Sequence, residues 1–118
     1  MREKSMNLAI RIVNLYKHLV AEKKEYVLSK QLLKSGTSIG ANIREAQNGE
    51  SSADFIHKLG VAQKETDETL YWLELLQKSE YITEAAFQSI HQDTEEILRM
   101  IRSAILTKKE NKLLDSLR

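Results

Sequence analysis

The chain contains no cysteine and no proline, and only four of its 118 residues are glycine. Without cysteine there is no disulfide framework, no thiolate nucleophile and no cysteine-ligated zinc site. With so few helix breakers, the sequence favours long helices. No apolar run approaches the roughly 20 residues that cross a bilayer, and the amino-terminal segment lacks the apolar core of a secretory signal. We therefore expect a cytoplasmic, helical protein with no membrane partner.

Charge is balanced overall but uneven along the chain. The formal net charge is +1, which by itself gives no reason to expect nucleic-acid binding. Between Glu50 and Glu80, seven acidic residues stand against three lysines. The first 25 residues lean basic, and a second basic cluster lies near the carboxyl end. That cluster consists of Arg99, Arg102, Lys108, Lys109 and Lys112.

Apolar residues recur every three or four positions along the whole chain, which indicates amphipathic helices. We predict helices near residues 3–22, 26–48, 52–79 and 84–107, followed by a charged tail at 108–118 that frays. Ser51 with Asp54 and Thr83 with Glu84 are typical helix-start signals. Because the connections are short, neighbouring helices should be antiparallel. The prediction is a single all-α domain over residues 1–118, an up-down-up-down four-helix bundle.

The stretch SGTSIGANIREAQNG, residues 35–49, is unusually rich in small and polar residues. A phosphate-binding P-loop would need Lys and then Ser or Thr after the second glycine, and Gly40 is followed by Ala41. The apolar face continues in phase through Ile39 and Ile43, so we predict a continuous helix here.

Gly36 and Gly40 are four residues apart, and each costs the helix about 1 kcal/mol relative to alanine. Missing side chains let another helix approach the backbone closely. Two interpretations remain open: close packing within the bundle, or contact with another subunit.

A polar strip borders the predicted core on the other edge of this helix. We expect a structural polar network of Ser38, Asn42, Glu45 and Glu65. Glu65 should be partly buried and so needs a partner, for which Asn42 is the candidate.

The first and third helices carry more apolar residues than one buried face requires. On the third helix Val61, Trp72 and Leu75 lie outside the core face, and on the first Met6, Ile10, Val13 and Val20 do so. Since contiguous exposed apolar patches mark association and tryptophan is a frequent interface anchor, we expect a homo-oligomer. The predicted interface is Trp72, Val61 and Leu75, together with Gly36 and Gly40. The alternative is that Trp72 closes the edge of a monomeric bundle.

Residues 35–76, SGTSIGANIREAQNGESSADFIHKLGVAQKETDETLYWLELL, closely resemble the small four-helix bundle proteins related to those encoded in intervening sequences of bacterial 23S ribosomal RNA genes. The matching positions are Ser38, Ile39, Asn42, Ile43, Glu45, Phe55, Leu59, Ala62, Glu65, Thr69, Trp72 and Leu73. The resemblance implies an up-down bundle assembled as a homopentameric ring. A more distant member, the accessory variability determinant of diversity-generating retroelements, binds nucleic acid and a reverse transcriptase through a basic surface, whereas this chain is nearly neutral.

No catalytic chemistry is indicated. A di-iron bundle needs Glu-x-x-His on two helices, and the nearest approach here is Asp54-x-x-His57. His18, His57 and His91 fall on three different predicted helices. We expect no catalytic residue, metal, cofactor or small-molecule substrate.

Two functional classes remain. The first is a non-enzymatic scaffold that binds copies of itself and partner proteins. The alternative is a nucleic-acid-binding accessory protein, or a partner of a nucleic-acid-handling protein, in which the basic cluster repeats around the oligomer and binds RNA or DNA multivalently.

Overall fold

Four α-helices form almost the whole chain in this computed structural model, which describes residues 1–118. The helices are α1 (Arg2–Ala21), α2 (Leu28–Gln47), α3 (Ser52–Lys78) and α4 (Glu84–Ser116). There is no strand. Ser51 caps α3 by accepting a hydrogen bond from the Asp54 backbone N–H, and Thr83 caps α4 by accepting one from Ala86.

Contacts between the helices run around a square: α1 with α2, α2 with α3, α3 with α4, and α4 with α1. Lys4 pairs with Glu96 while Arg11 pairs with Asp93, so residue numbers rise along α1 as they fall along α4. The backbones of the diagonal pairs, α1 with α3 and α2 with α4, do not approach each other closely. The predicted four-helix bundle is therefore confirmed.

The core is a set of aliphatic residues at helical spacing on all four helices. Its fully buried members include Ile12 and Leu19 of α1, Ile39 of α2, Leu73 of α3 and Ile101 of α4. Each fully buried aliphatic side chain contributes roughly 1.5–3 kcal/mol relative to an exposed one. The periodicity in the sequence thus corresponds to the inward faces of the helices.

The carboxyl end differs from the prediction, because α4 continues to Ser116 rather than ending near residue 107. Residues 108–118 are charged but include neither glycine nor proline, so nothing stops the helix. Lys108 extends over the Phe55 ring, 4.9 Å from its centroid, and attaches the start of this segment to α3. The segment is a helical extension and not a frayed tail.

Gly36 and Gly40 both face α1 of the same chain. A Cβ on Gly36 would lie 2.8 Å from Ile12 Cγ2, and one on Gly40 would lie 3.2 Å from Ser5 Oγ. Gly36 is also buried. The prediction that these glycines belong to an oligomer interface is wrong for Gly36 and is not supported for Gly40, because their missing side chains admit α1.

Gly36 and Gly60 offer a matched test of this close packing. Gly60 is exposed, and a Cβ added to it would have no neighbouring atom within 4 Å. Gly60→Ala should therefore raise the free energy of unfolding by about 0.5–1 kcal/mol through helix propensity. Gly36→Ala gains the same propensity but must displace Ile12, and overpacking costs about 1–3 kcal/mol. Urea unfolding should show stabilisation for Gly60→Ala and destabilisation for Gly36→Ala. Equal stabilisation of both would contradict the packing.

Glu25 fixes the start of α2. Its carboxylate accepts hydrogen bonds from the backbone N–H groups of Val27, Leu28 and Ser29 at 3.0, 2.8 and 2.6 Å, and the Ser29 hydroxyl donates to the Glu25 carbonyl. Burial alone would raise the pKa of Glu25, but these bonds to the charged form outweigh it and lower the pKa below its usual value. The charged carboxylate thus satisfies the free N–H groups of the first turn.

The lowered pKa gives a pH-dependent prediction. Since the folded-state pKa lies below the unfolded one, ionised Glu25 stabilises the protein above the ordinary glutamate value of about 4.3, and this stability is lost as pH falls through the folded pKa. Glu25→Gln should lower the free energy of unfolding by about 1–2 kcal/mol at pH 7. The difference from the wild type should shrink at acidic pH. A difference independent of pH would rule out the charged cap.

Candidate interaction surfaces

The α2–α3 contact is the most extensive in the bundle. At its centre the hydroxyls of Ser35 and Thr69, both buried, are hydrogen-bonded at 3.0 Å. Small hydroxyl side chains here bring the two helices together without leaving an unsatisfied polar atom. The motif that carries the resemblance therefore includes a structural contact.

The predicted polar network on the outer side of this contact does not form. Ser38 Oγ donates to the Lys34 carbonyl at 2.6 Å, and Asn42 Nδ2 donates to the Ser38 carbonyl at 2.8 Å. Each side chain bonds one turn back along its own helix, a common local alternative for hydroxyls and amides. Glu45 pairs with Lys58 of α3 at 3.2 Å. These are separate local contacts.

Glu65 lacks the partner predicted for it, since its carboxylate makes no hydrogen bond to Asn42, which bonds Ser38 instead. Partial burial raises the pKa of Glu65, and the neighbouring negative charge of Glu68 raises it further; Lys64 and Lys34 act in the opposite direction. Within one chain, this carboxylate is incompletely compensated.

Trp72 lies at the edge of the bundle, partly buried and packed against the core. Its indole N–H donates to Glu68 Oε1 at 3.3 Å, and the Tyr71 ring approaches edge-on with centroids 5.0 Å apart. Val61 and Leu75 are also only partly buried. They belong to a line of residues spaced four, three, four and three apart, here called the α3 stripe: Val61, Glu65, Glu68, Trp72 and Leu75.

A corresponding line runs along the outside of α1. We call it the α1 stripe: Met6, Ile10, Val13, Lys17 and Val20. Met6 is 44% exposed and Ile10 is 53% exposed, while Val13 and Val20 are partly buried. These apolar residues are separate from the core face of α1 and have no partner helix that covers them.

The basic cluster lies on the carboxyl-terminal part of α4. Arg102 is 4.0 Å from Asp67, and Lys108 lies over Phe55. The carboxyl end of a helix attracts cations, but the last turn of α4 contains no basic residue because the helix ends at Ser116. The helix dipole therefore does not explain why these cations lie here.

A groove of about 570 Å³ lies between this extension and the start of α3. Lys109, Lys112 and Leu113 line one side, and Ile56 and His57 line the other. Three leucines of the extension, Leu113, Leu114 and Leu117, are more than half exposed, and so is Leu106 just before it. The sequence interpretation missed this apolar surface because it treated residues 108–118 as a charged tail. The spacing of Leu106, Leu113 and Leu117, seven and then four residues apart, could have indicated an apolar helix face here.

The titratable side chains do not form a metal site, since no group of three or more His, Asp or Glu residues could hold an ion. His91 of α4 lies between Glu95, 3.1 Å away, and Glu74 of α3, 3.8 Å away. This is an α3–α4 contact. None of the four helices combines the length and the hydropathy that a bilayer span requires.

Comparison with known proteins decides the family. The model of the 23S rRNA-intervening sequence protein family matches residues 1–103. The chain belongs to this family. It is also 59% identical to a crystallised protein of unknown function from the S23 ribosomal protein family of Bacteroides thetaiotaomicron, with a TM-score of 0.87 over 88% of this chain and 96% of the other. No protein with a curated functional description matches.

The resemblance predicted from residues 35–76 is thus confirmed, and it extends over all four helices. The family match ends at Ser103, inside α4. Residues 104–118, which line one side of the groove and carry the exposed leucines, lie beyond the matched range.

Proposed function

We propose that this protein is a non-enzymatic homo-oligomeric scaffold, whose function is to assemble copies of itself and present their surfaces to partner proteins. The observation that supports this most directly is that the apolar residues of the α1 and α3 stripes are only partly covered within the chain. Met6 and Ile10 on α1, and Trp72 with Val61 and Leu75 on α3, expose apolar area that the chain's own helices do not cover. Such area favours association by removal from water.

The proposal includes a ring of five subunits in the cytoplasm. The number five comes from the resemblance to the family, while the stripes support association without fixing its stoichiometry. His18, His57 and His91 lie on three different helices, α1, α3 and α4.

Trp72→Glu tests the assembly. A carboxylate at the centre of an apolar interface must be desolvated without a partner, so this variant should dissociate at micromolar concentration while circular dichroism shows retained helix. Tyr71→Glu is the matched control, because Tyr71 is 57% exposed and neighbours Trp72 but lies off the α3 stripe. Light scattering should show a reduced mass for Trp72→Glu alone. An unchanged mass for a folded Trp72→Glu variant would refute this interface.

A second candidate function is nucleic-acid binding through the basic cluster. The favouring observation is that Arg99, Lys109 and Lys112 lie on an ordered helix, outside its last turn and without an ion pair within the chain. Repeated around an oligomer, a modest cluster becomes multivalent. Arg102 and Lys108, which already contact Asp67 and Phe55, would contribute less.

This candidate predicts salt-dependent binding of RNA or DNA. Affinity should fall steeply as salt rises from about 50 to 200 mM, because phosphate contacts release counterions. Lys109→Glu with Lys112→Glu should weaken binding, whereas the control pair Lys23→Glu with Lys24→Glu, in the α1–α2 connection, should not. Fluorescence anisotropy with a labelled oligonucleotide measures both. If neither RNA nor DNA binds at about 50 mM salt, the nucleic-acid-binding function is excluded and only the scaffold function remains.

A further inference from the structure

The α1 stripe and the α3 stripe have the same repeat and opposite charge. Each places residues four, three, four and three positions apart, the spacing that lets two helices pack side by side along a continuous line. Each stripe also interrupts its apolar residues with charge: Lys17 on α1, and Glu65 with Glu68 on α3.

None of these charges is fully compensated within the chain. Lys17 is exposed and takes part in none of the ion pairs, which join Lys4, Arg11, Lys58, His91, Arg102 and Arg118 to carboxylates. Glu65 is partly buried and has no hydrogen-bond partner, while Glu68 only accepts from the Trp72 indole. Lys17 interrupts an otherwise apolar line, and Glu65 with Glu68 interrupts the other. Burying either surface against a purely apolar partner would leave these charges unpaired, which costs free energy.

We infer that the α1 stripe of one subunit docks on the α3 stripe of another, with Lys17 placed against Glu65 and Glu68. The inference rests on the proposed homo-oligomer and identifies which two faces meet in it. Apolar residues then cover apolar residues, and the single cation meets the two carboxylates. The apolar residues of the contact are Met6, Ile10, Val13 and Val20 from one copy and Val61, Trp72 and Leu75 from the other.

Charge disfavours the symmetric alternatives. Docking two α1 stripes buries both Lys17 side chains without a carboxylate partner, and docking two α3 stripes gathers four carboxylates, including Glu65 with its raised pKa. Like charges placed together across an interface cost several kcal/mol. An α1–α3 contact uses two different faces, so one subunit of a pair keeps a free α3 stripe and the other keeps a free α1 stripe. Further copies can add to these faces, and the contacts form a ring where the rotation closes.

Charge reversal tests the pairing. Lys17→Glu, and separately Glu65→Lys with Glu68→Lys, should each raise the dissociation constant of the oligomer about tenfold or more, because each variant faces like charges. Combining Lys17→Glu, Glu65→Lys and Glu68→Lys in one chain should restore assembly to within about threefold of the wild type, because every α1–α3 contact then pairs opposite charges again. Lys23→Glu in the α1–α2 connection is the matched control, and circular dichroism verifies folding.

The outcomes separate this inference from the proposed function. If wild-type protein assembles but the charge variants assemble equally well, or the combined triple variant does not restore assembly, the α1–α3 pairing is wrong and the proposed homo-oligomer is unaffected. If the wild-type protein is monomeric, both the α1–α3 pairing and the proposed homo-oligomer are wrong. Mass photometry or sedimentation velocity measures each case.

Because the chain has no cysteine, introduced cysteines give a second test. Val13 lies one turn from Lys17, and Glu68 lies beside the place proposed for Lys17, so these two positions stay within about two helical turns of each other whichever way the two helices run. With a short flexible bismaleimide, the Val13→Cys, Glu68→Cys double variant should form covalently linked copies, and neither single variant should. Linked dimers from a single-cysteine variant would show a symmetric contact and overturn the inference.

Discussion

Each helix of a four-helix bundle can bury one face against its neighbours, and α1 and α3 carry apolar residues on two faces. Their core faces meet in a layer where Ile12 and Leu73 are fully buried. Their second faces remain outside this layer and are only partly covered. The hydrophobic effect acts on these exposed residues as it does on the core, and this excess of apolar surface underlies the proposed assembly.

Close approach of the helices makes the inner layer possible. Gly36 admits Ile12 of α1, and the paired hydroxyls of Ser35 and Thr69 bring α2 against α3. These small residues are less favourable in a helix than alanine, but they allow neighbouring helices of one chain to pack closely. The outer residues keep apolar surface that the chain does not cover, namely the exposed Met6 and Ile10 on α1 and the partly buried Trp72 on α3.

Sequence periodicity predicted the parts of the fold that depend on a repeating pattern. Helix positions and inward faces follow from apolar spacing, and the observed ends of α1, α2 and α3 lie within two residues of the predicted ones. Tertiary details were less accessible. Asn42 could form a hydrogen bond either with Glu65 or with the backbone of its own helix, and the sequence alone does not show which of these forms. Likewise, the charged composition of residues 108–118 led to the prediction of a frayed tail, although no glycine or proline ends the helix before Ser116.

The most direct measurement is sedimentation of the unmodified protein over a range of concentrations, with the fluorescence of Trp72, the only tryptophan, recorded on the same samples. The account predicts a species several times the mass of one chain at micromolar concentration, with tryptophan emission shifting to longer wavelength as dilution dissociates it. A single-chain mass at micromolar concentration, with emission unchanged by dilution, would contradict the claim that the outer stripes of α1 and α3 are covered by another copy.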